Sequence, residues 1–143
     1  MTDLPKELYG EGISLIGDKA YELTWRNKKI IEWKVDNPAE KNFELVTTHD
    51  MGKTDLREGW GLTYNKFDHL LYATDGSEFV HVFKPDTFEK MAKFPVTAGW
   101  NHKIHNLNEI EVIRGGKYLL MNVYHNNHIL LVTNGPEGSG KVV

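Results

Sequence analysis

A chain of 143 residues with 40% hydrophobic side chains is long enough to bury one core and lies within the size range of a single domain. Its formal charge of -3, with both signs mixed along the sequence, offers neither the basic field that dominates nucleic-acid affinity nor a polybasic run to hold an anionic membrane. With no cysteine, disulfides, thiolate catalysis and cysteine-ligated zinc are excluded, while the redox compartment stays open. No apolar run approaches the ~20 residues of a membrane span. The start, Met1 to Gly10, lacks the basic, apolar and small-residue parts of a secretory signal, so no targeting segment is read and no compartment is assigned.

In chain order, Gly10-Glu11-Gly12-Ile13-Ser14 is followed by strand candidates at Ala20 to Trp25, Lys29 to Val35 and Phe43 to Thr48. Gly59-Trp60-Gly61-Leu62-Thr63 then precedes candidates at Leu70 to Thr74, Phe79 to Lys84 and Lys90 to Val96. Leu107-Asn108-Glu109-Ile110-Glu111 precedes a last pair, Tyr118 to Val123 and Ile129 to Thr133. The runs are rich in Val, Ile, Leu, Tyr, Phe and Trp, and Gly-Asp, Asp-Gly, Asn-Gly and Lys-Pro-Asp punctuate them. This is the pattern of short strands joined by tight turns, and no long helical periodicity competes with it. The chain reads as all-β.

The order also repeats. A slide of about 49 residues, within the span of known repeat architectures, lays Gly10–Ser14 on Gly59–Thr63 and Ile31-Glu32-Trp33 on Val80-His81-Val82. A second slide lays Leu71–Asp75 on Leu120–Tyr124 and Val80–Phe83 on Ile129–Val132. A period of ~40 to 50 residues with room for four strands is the signature of a β-propeller blade. The expectation is one propeller-type domain over 1–143, with blade-like units at about 9–57, 58–106 and 107–143. The fourth strand of the last unit is weak or missing, because a turn-rich stretch from Asn134 to Gly140 follows Thr133. Propellers usually close with about four to eight blades, so three leave two faces open. The expectation is that a partner protein or self-association covers them, or that the chain is a fragment of a longer one.

The ordered motifs Gly10-Glu11-Gly12-Ile13, Tyr21-Glu22-Leu23-Thr24-Trp25, Glu58-Gly59-Trp60-Gly61-Leu62-Thr63, Thr74-Asp75-Gly76, Asp86-Thr87-Phe88 and Leu107-Asn108-Glu109-Ile110-Glu111 span nearly the whole chain. Together they resemble the plant and bacterial glutaminyl-peptide cyclotransferases. The resemblance implies a five-bladed propeller that converts the N-terminal glutamine of peptides to pyroglutamate and releases ammonia, without metal or other cofactor. It implies that Glu11 is the acid/base carboxylate and that Trp25, Trp60 and Asn108 line the substrate pocket. The family's Asn-Val-Trp stands here as Asn122-Val123-Tyr124, so a pocket wall at Tyr124 is smaller and carries a hydroxyl. Tyr9 replaces a phenylalanine. The family's opening blade, and a closing blade with a pocket lysine, have no counterpart in these residues.

Cyclisation needs the α-amine to reach the side-chain amide carbon, a proton to reach the departing ammonia, and an oxyanion to be stabilised. Glu11 suits the proton transfer if burial beside indole raises its pKa above the ~4.3 of free Glu. Trp25 and Trp60 suit stacking on the flat amide, with an indole N–H left to donate. Asn108 offers both donor and acceptor. Other readings stand beside these: Trp25 and Trp60 as blade-packing aromatics, as for Trp33, and Glu11 as a solvated turn residue, although flanking glycines suit a close approach. One of Glu109 and Glu111 is expected to order the loop bearing Asn108. The pairs His102/His105 and His125/His128 are read as turn or surface residues rather than metal ligands. Gly138-Ser139-Gly140-Lys141 lacks the spacing of a phosphate loop. Two further functions remain open: a catalytically inactive docking subunit of a larger assembly, and a propeller that binds an unrelated sugar or peptide.

Overall fold

Val, Ile, Tyr, Phe and Trp favour the pleated, half-buried backbone of a sheet, and where they cluster the chain forms strands. The computed structural model describes residues 3–37, 42–135 and 138–143. Met1 and Thr2 of the segment read for a signal, and Pro136 and Glu137 of the turn-rich stretch, lie outside the described residues. In chain order the strands are β1 (Gly10–Ile16), β2 (Lys19–Thr24), β3 (Lys29–Asn37), β4 (Asn42–Asp50), β5 (Leu62–Asn65), β6 (Leu70–Thr74) and β7 (Phe79–Phe83). They continue with β8 (Lys90–Pro95), β9 (Thr97–Ala98), β10 (His102–Lys103), β11 (Leu107–Ile113), β12 (Tyr118–Val123) and β13 (Ile129–Thr133). A 3-10 turn, Met51–Thr54, follows β4.

These strands make antiparallel meanders β1-β2-β3-β4, β5-β6-β7-β8 and β11-β12-β13, with the small hairpin β9-β10 between the last two. The meanders are three blades of a partial propeller, with β5 touching both β1 and β11 at the inner edge. Two apolar cores fill the seams between blades. Leu23, Ile30, Met51, Leu62, Leu71 and Phe83 lie between the first and second. Tyr72, Val80, Val82, Ile110, Leu119, Met121 and Val132 lie between the second and third. Strand alternation explains the division: neighbouring residues point to opposite faces, so Leu71 faces the first blade and Tyr72 the third.

Several expectations are corrected here. The innermost strands β1 and β5 are absent from the strand candidates: β1 carries Gly and Glu, poor strand formers, and β5 is only four residues long. Two of the repeat alignments beyond the inner strands were one residue out of register, while that of Val80–Phe83 on Ile129–Val132 holds, since Val80 pairs with Thr74 as Ile129 pairs with Asn122. Tyr72 pairs with Val82 as Tyr21 pairs with Glu32, so Ile30, not Ile31, holds the place of Val80. Likewise buried Leu119 matches Leu71, while Leu120 is 40% exposed. His102 lies in β10 rather than in a turn. The fourth strand of the last blade is rudimentary: Val142 bridges Val132 of β13 antiparallel, and Lys141 bridges Thr97 in parallel. The tail therefore also joins the third blade to the end of the second.

The outward faces differ from the seams. Ile13 and Leu15 are 58% and 61% exposed on the first blade, as Ile129 is 66% exposed on the third. The seam equivalents of Ile13 (Leu62 and Ile110) and of Ile129 (Ile30 and Val80) are buried, and those of Leu15 (Tyr64 and Val112) are half-buried.

Candidate active site

The pocket grows from a positional repeat. Ile13 pairs with Glu22, Leu62 with Ala73 and Ile110 with Met121, so these pairs occupy one place in successive blades. Two residues earlier on the inner strand stand Glu11, Trp60 and Asn108. Three residues past the second member of each pair stand Trp25, Gly76 and Tyr124. The inner positions and the ends of the second strands thus point toward the same region of the hub, and all but Gly76 line one cavity of about 260 Å³ together with Tyr9.

Close backbone approach puts them there. Gly12 N donates to Trp60 O at 2.6 Å, and a Cβ on Gly12 would collide with Trp60 O and Leu62 N. At the equivalent place a Cβ on Gly61 would collide with Asn108 O and the Glu109 Cα. Any side chain at either glycine would push the inner strands apart. Both β1 and β11 carry a bulge here, between Gly10 and Ile13 and between Leu107 and Ile110. A bulge re-aims one side chain, and the bulged residues include Glu11 and Asn108. At Gly76, with φ +76, a Cβ would stand 2.7 Å from Trp60 Cζ2. The gap in the repeat at this position is the space occupied by the Trp60 ring.

Two aromatic pairs form the walls. Tyr9 meets Trp25 edge-on at 5.9 Å, and Trp60 meets Tyr124 edge-on at 5.5 Å, the arrangement favoured by the aromatic quadrupole. Both indoles are also hydrogen-bonded. Trp25 Nε1 donates to Glu58 Oε2 at 2.8 Å and Trp60 Nε1 donates to the same oxygen at 3.1 Å. The expectation of a free indole N–H for the ligand is therefore corrected: both donors are spent on Glu58. Sequence reasoning included Glu58 in a motif but gave it no role, since the signal lies in the convergence of neighbouring Trp60 and distant Trp25 on one carboxylate.

Burial raises the Glu11 carboxyl above its ordinary pKa. Glu109 is raised as well, first by burial and then by the charges of Glu11 and Glu111. The Asn108 segment is held by Thr74, whose Oγ1 donates to Asn108 O and accepts from Gly61 N at 2.9 Å. Asn122 Oδ1 adds a bond from Glu109 N at 2.8 Å. Ordering of this loop thus comes from Thr74 and Asn122, not from the carboxylates of Glu109 or Glu111. Glu111 instead accepts from Thr63 Oγ1 at 3.3 Å across the seam.

Trp33, read as a packing aromatic, is 6% exposed and donates from Nε1 to Glu22 Oε2 at 2.8 Å. Among the described residues no three His, Asp or Glu side chains gather as a metal cluster. None of the described helices is long and apolar enough to cross a membrane.

Known structures share this architecture. Glutaminyl cyclase from Myxococcus xanthus superposes with a TM-score of 0.77 over 96% of the chain at 22% identity. The WD40 repeats of RRP9 give 0.61 over 98% at 13% identity, and hydrazine synthase from Kuenenia stuttgartiensis gives 0.60 over 99% at 11%. The chain spans about half of the Myxococcus protein, 52%, and 39% and 37% of the others. At these identities the likeness shows the fold. No curated protein matches the sequence. The family model described as glutamine cyclotransferase matches residues 1–143, and the chain belongs to that family.

Proposed function

We propose that this chain carries a site for cyclising the N-terminal glutamine of peptides to pyroglutamate with release of ammonia, with Glu11 as its acid/base. The observation that carries the reading is the gathering of Glu11, Trp25, Trp60, Asn108 and Tyr124 around one cavity. At about 260 Å³ it falls below the ~300 to 1,000 Å³ of whole small-molecule sites, a size suited to one residue at a chain end.

In the proposed reaction the α-amine nitrogen forms a bond to the side-chain amide carbon, closing the five-membered ring. The bond from that carbon to the original amide nitrogen then breaks. The attacking nitrogen gives up one proton and the leaving nitrogen takes one, departing as ammonia. Glu11 passes that proton, and its raised pKa keeps the protonated form accessible closer to neutrality. The Asn108 amide and the Tyr124 hydroxyl are the side-chain donors for the developing oxyanion, since Glu58 takes both indole N–H groups. The ring faces of Trp25 and Trp60 flank the planar amide.

The test is turnover of a short Gln-initiated peptide, followed by ammonia release and the matching mass loss, in the wild type and in Glu11→Gln. Glu11-dependent product supports the reading; no product from folded protein rejects it for this chain. The exposed apolar faces at Ile13, Leu15 and Ile129 favour a second reading, a docking subunit whose partner covers them. An inactive chain that co-purifies in a defined complex and loses that complex on Ile13→Asp supports it.

A further inference from the structure

The segment joining the first blade to the second places Glu58 against the indole N–H groups of the two pocket tryptophans, between two backbone anchors. On one side Arg57 N donates to Asp75 Oδ2 at 3.2 Å. On the other Gly59 N donates to both Thr24 O and Trp25 O at 3.1 Å. The Glu58 side chain is 32% exposed. Its Oε2 accepts from the indoles of Trp25, on the first blade, and Trp60, on the second. The other oxygen, Oε1, lies 3.5 Å from Arg26 Nε, and the Arg26 guanidinium sits 4.0 Å above the Trp25 ring. One carboxylate therefore fixes two rings from different blades, with a cation clamped on the outer face of one.

We infer that Glu58 is a positioning residue: it sets the mutual orientation of the Trp25 and Trp60 walls and so the width of the slot that receives the substrate amide. The inference rests on the cyclotransferase reading of the pocket for its catalytic consequence, but not for its structural content. Hydrogen bonds to a charged acceptor are shorter and stronger than neutral ones, and an indole has only one N–H to give. A ring tethered at that atom keeps little freedom to turn about its side-chain torsions. Arg26 neutralises the carboxylate on its solvent side and stacks on Trp25, as guanidinium groups do on indole. The same arrangement denies the substrate any indole donor, which leaves amide recognition to Asn108 and Tyr124.

The chain contains four tryptophans, and their indole N–H signals make the test readable without substrate. Trp25 and Trp60 donate to Glu58, Trp33 donates to Glu22, and Trp100 is fully exposed. In nitrogen-15 spectra of the purified chain, Glu58→Ala should move the signals of Trp25 and Trp60 and leave that of Trp33. Glu22→Ala should move Trp33 alone. With a Gln-initiated peptide, Glu58→Ala should lower kcat/KM by ~10- to 100-fold, the scale of a misplaced binding wall. Glu58→Gln keeps an acceptor oxygen and should restore most of that loss, with the pH limb of Glu11 unmoved. Glu58→Leu, which keeps the bulk and removes the acceptor, serves as the folded variant if the alanine chain does not fold. Indole signals of Trp25 and Trp60 that stay in place in Glu58→Ala, or in Glu58→Leu where that is the variant that folds, overturn the inference. So do signals that move while kcat/KM stays at the wild-type value. If the wild type has no turnover, the cyclotransferase reading falls, and the indole spectra alone still decide whether Glu58 holds the rings.

Discussion

The two seams are built on one plan and sealed differently. Each has an inner glycine packed against the next blade, Gly12 on Trp60 and Gly61 on Asn108, and each has an apolar core behind it. At the pocket end the first seam is polar and charged. Glu58 joins both indoles, and the buried Asp75 carboxylate lies 3.2 Å from His81 Nε2 and 3.4 Å from Arg57 Nε. His81 pairs with Ala73, whose side faces the first blade, so this contact belongs to the first seam. At the same end the second seam is sealed by hydroxyls, with Thr74 on Asn108 and Thr63 on Glu111. The apolar core supplies adhesion in both. The charged groups are concentrated where the pocket needs rigid walls, and they give that seam a sensitivity to pH.

The largest expected effect separates chemistry from packing. Glu11→Gln should reduce kcat by ~10²- to 10⁴-fold, the usual worth of general acid–base catalysis. It should not lower Tm, because a carboxyl whose pKa is raised on folding opposes folding once ionised. The acid limb of the wild-type pH profile should lie above the ~4.3 of free Glu and vanish in the variant. Thermal melts and a pH–rate series check both statements.

Next in size is the buried Asp75 carboxylate of the first seam. Asp75 accepts from Ser77 N, Ser77 Oγ and Arg57 N; leaving buried donors unpaired costs about 1–3 kcal/mol each, and Asp75→Ala should show a loss of about 3 kcal/mol by denaturant titration. Burial raises the Asp75 carboxyl, but its contacts with His81 and Ser77 and the Arg57 backbone N–H outweigh burial and hold it well below the usual carboxylate range. The sign follows. Its folded pKa is depressed, so its contribution is full above the unfolded value of ~3.9 and fades as pH falls below it toward the folded one. Asp75→Ala should flatten stability against pH in that acid window, while Thr63→Val in the second seam should leave the dependence unchanged.

Of similar size, and common to both seams, is the cost of a methyl group at the inner glycines. Gly12→Ala and Gly61→Ala force backbone against backbone, and each should lose about 3 kcal/mol, at the upper end of ordinary overpacking. Gly135→Ala, where a Cβ would meet nothing within 4 Å, should match the wild type in the same melts. The smallest effect is expected on an outward face. Leu15→Ser should change the stability of the isolated chain by about 0.5 kcal/mol or less, because Leu15 is already 61% exposed.

Much of this was legible in order along the chain. Alternating strands and glycine-marked turns gave an all-β repeat, and the motif series brought out Glu11, Trp25, Trp60, Asn108 and Tyr124, which the fold gathers around one cavity. The repeat held for Val80–Phe83 on Ile129–Val132 but failed by one residue on the third strand of the first blade and the second strand of the third. A one-residue slip moves a whole strand to the other face, and only packing against a neighbour says which face is inside. Glu58 stood in a motif without a role, because the ring that makes it a bridge between blades, Trp25, is 33 residues away along the chain. The vacancy at Gly76 had the same character, being explained by a ring from another strand.

What the sequence determined by itself is therefore what depends on neighbours in the chain: strand periodicity, turn positions and the ordered motif residues. Tertiary structure alone decided which faces meet, why Gly12 and Gly61 admit no side chain, and that both pocket indoles are tied to one carboxylate. The physical reason is range. Backbone propensity acts over a few residues, whereas close packing and hydrogen-bond convergence act between atoms that the chain brings together only after three blades have been laid side by side.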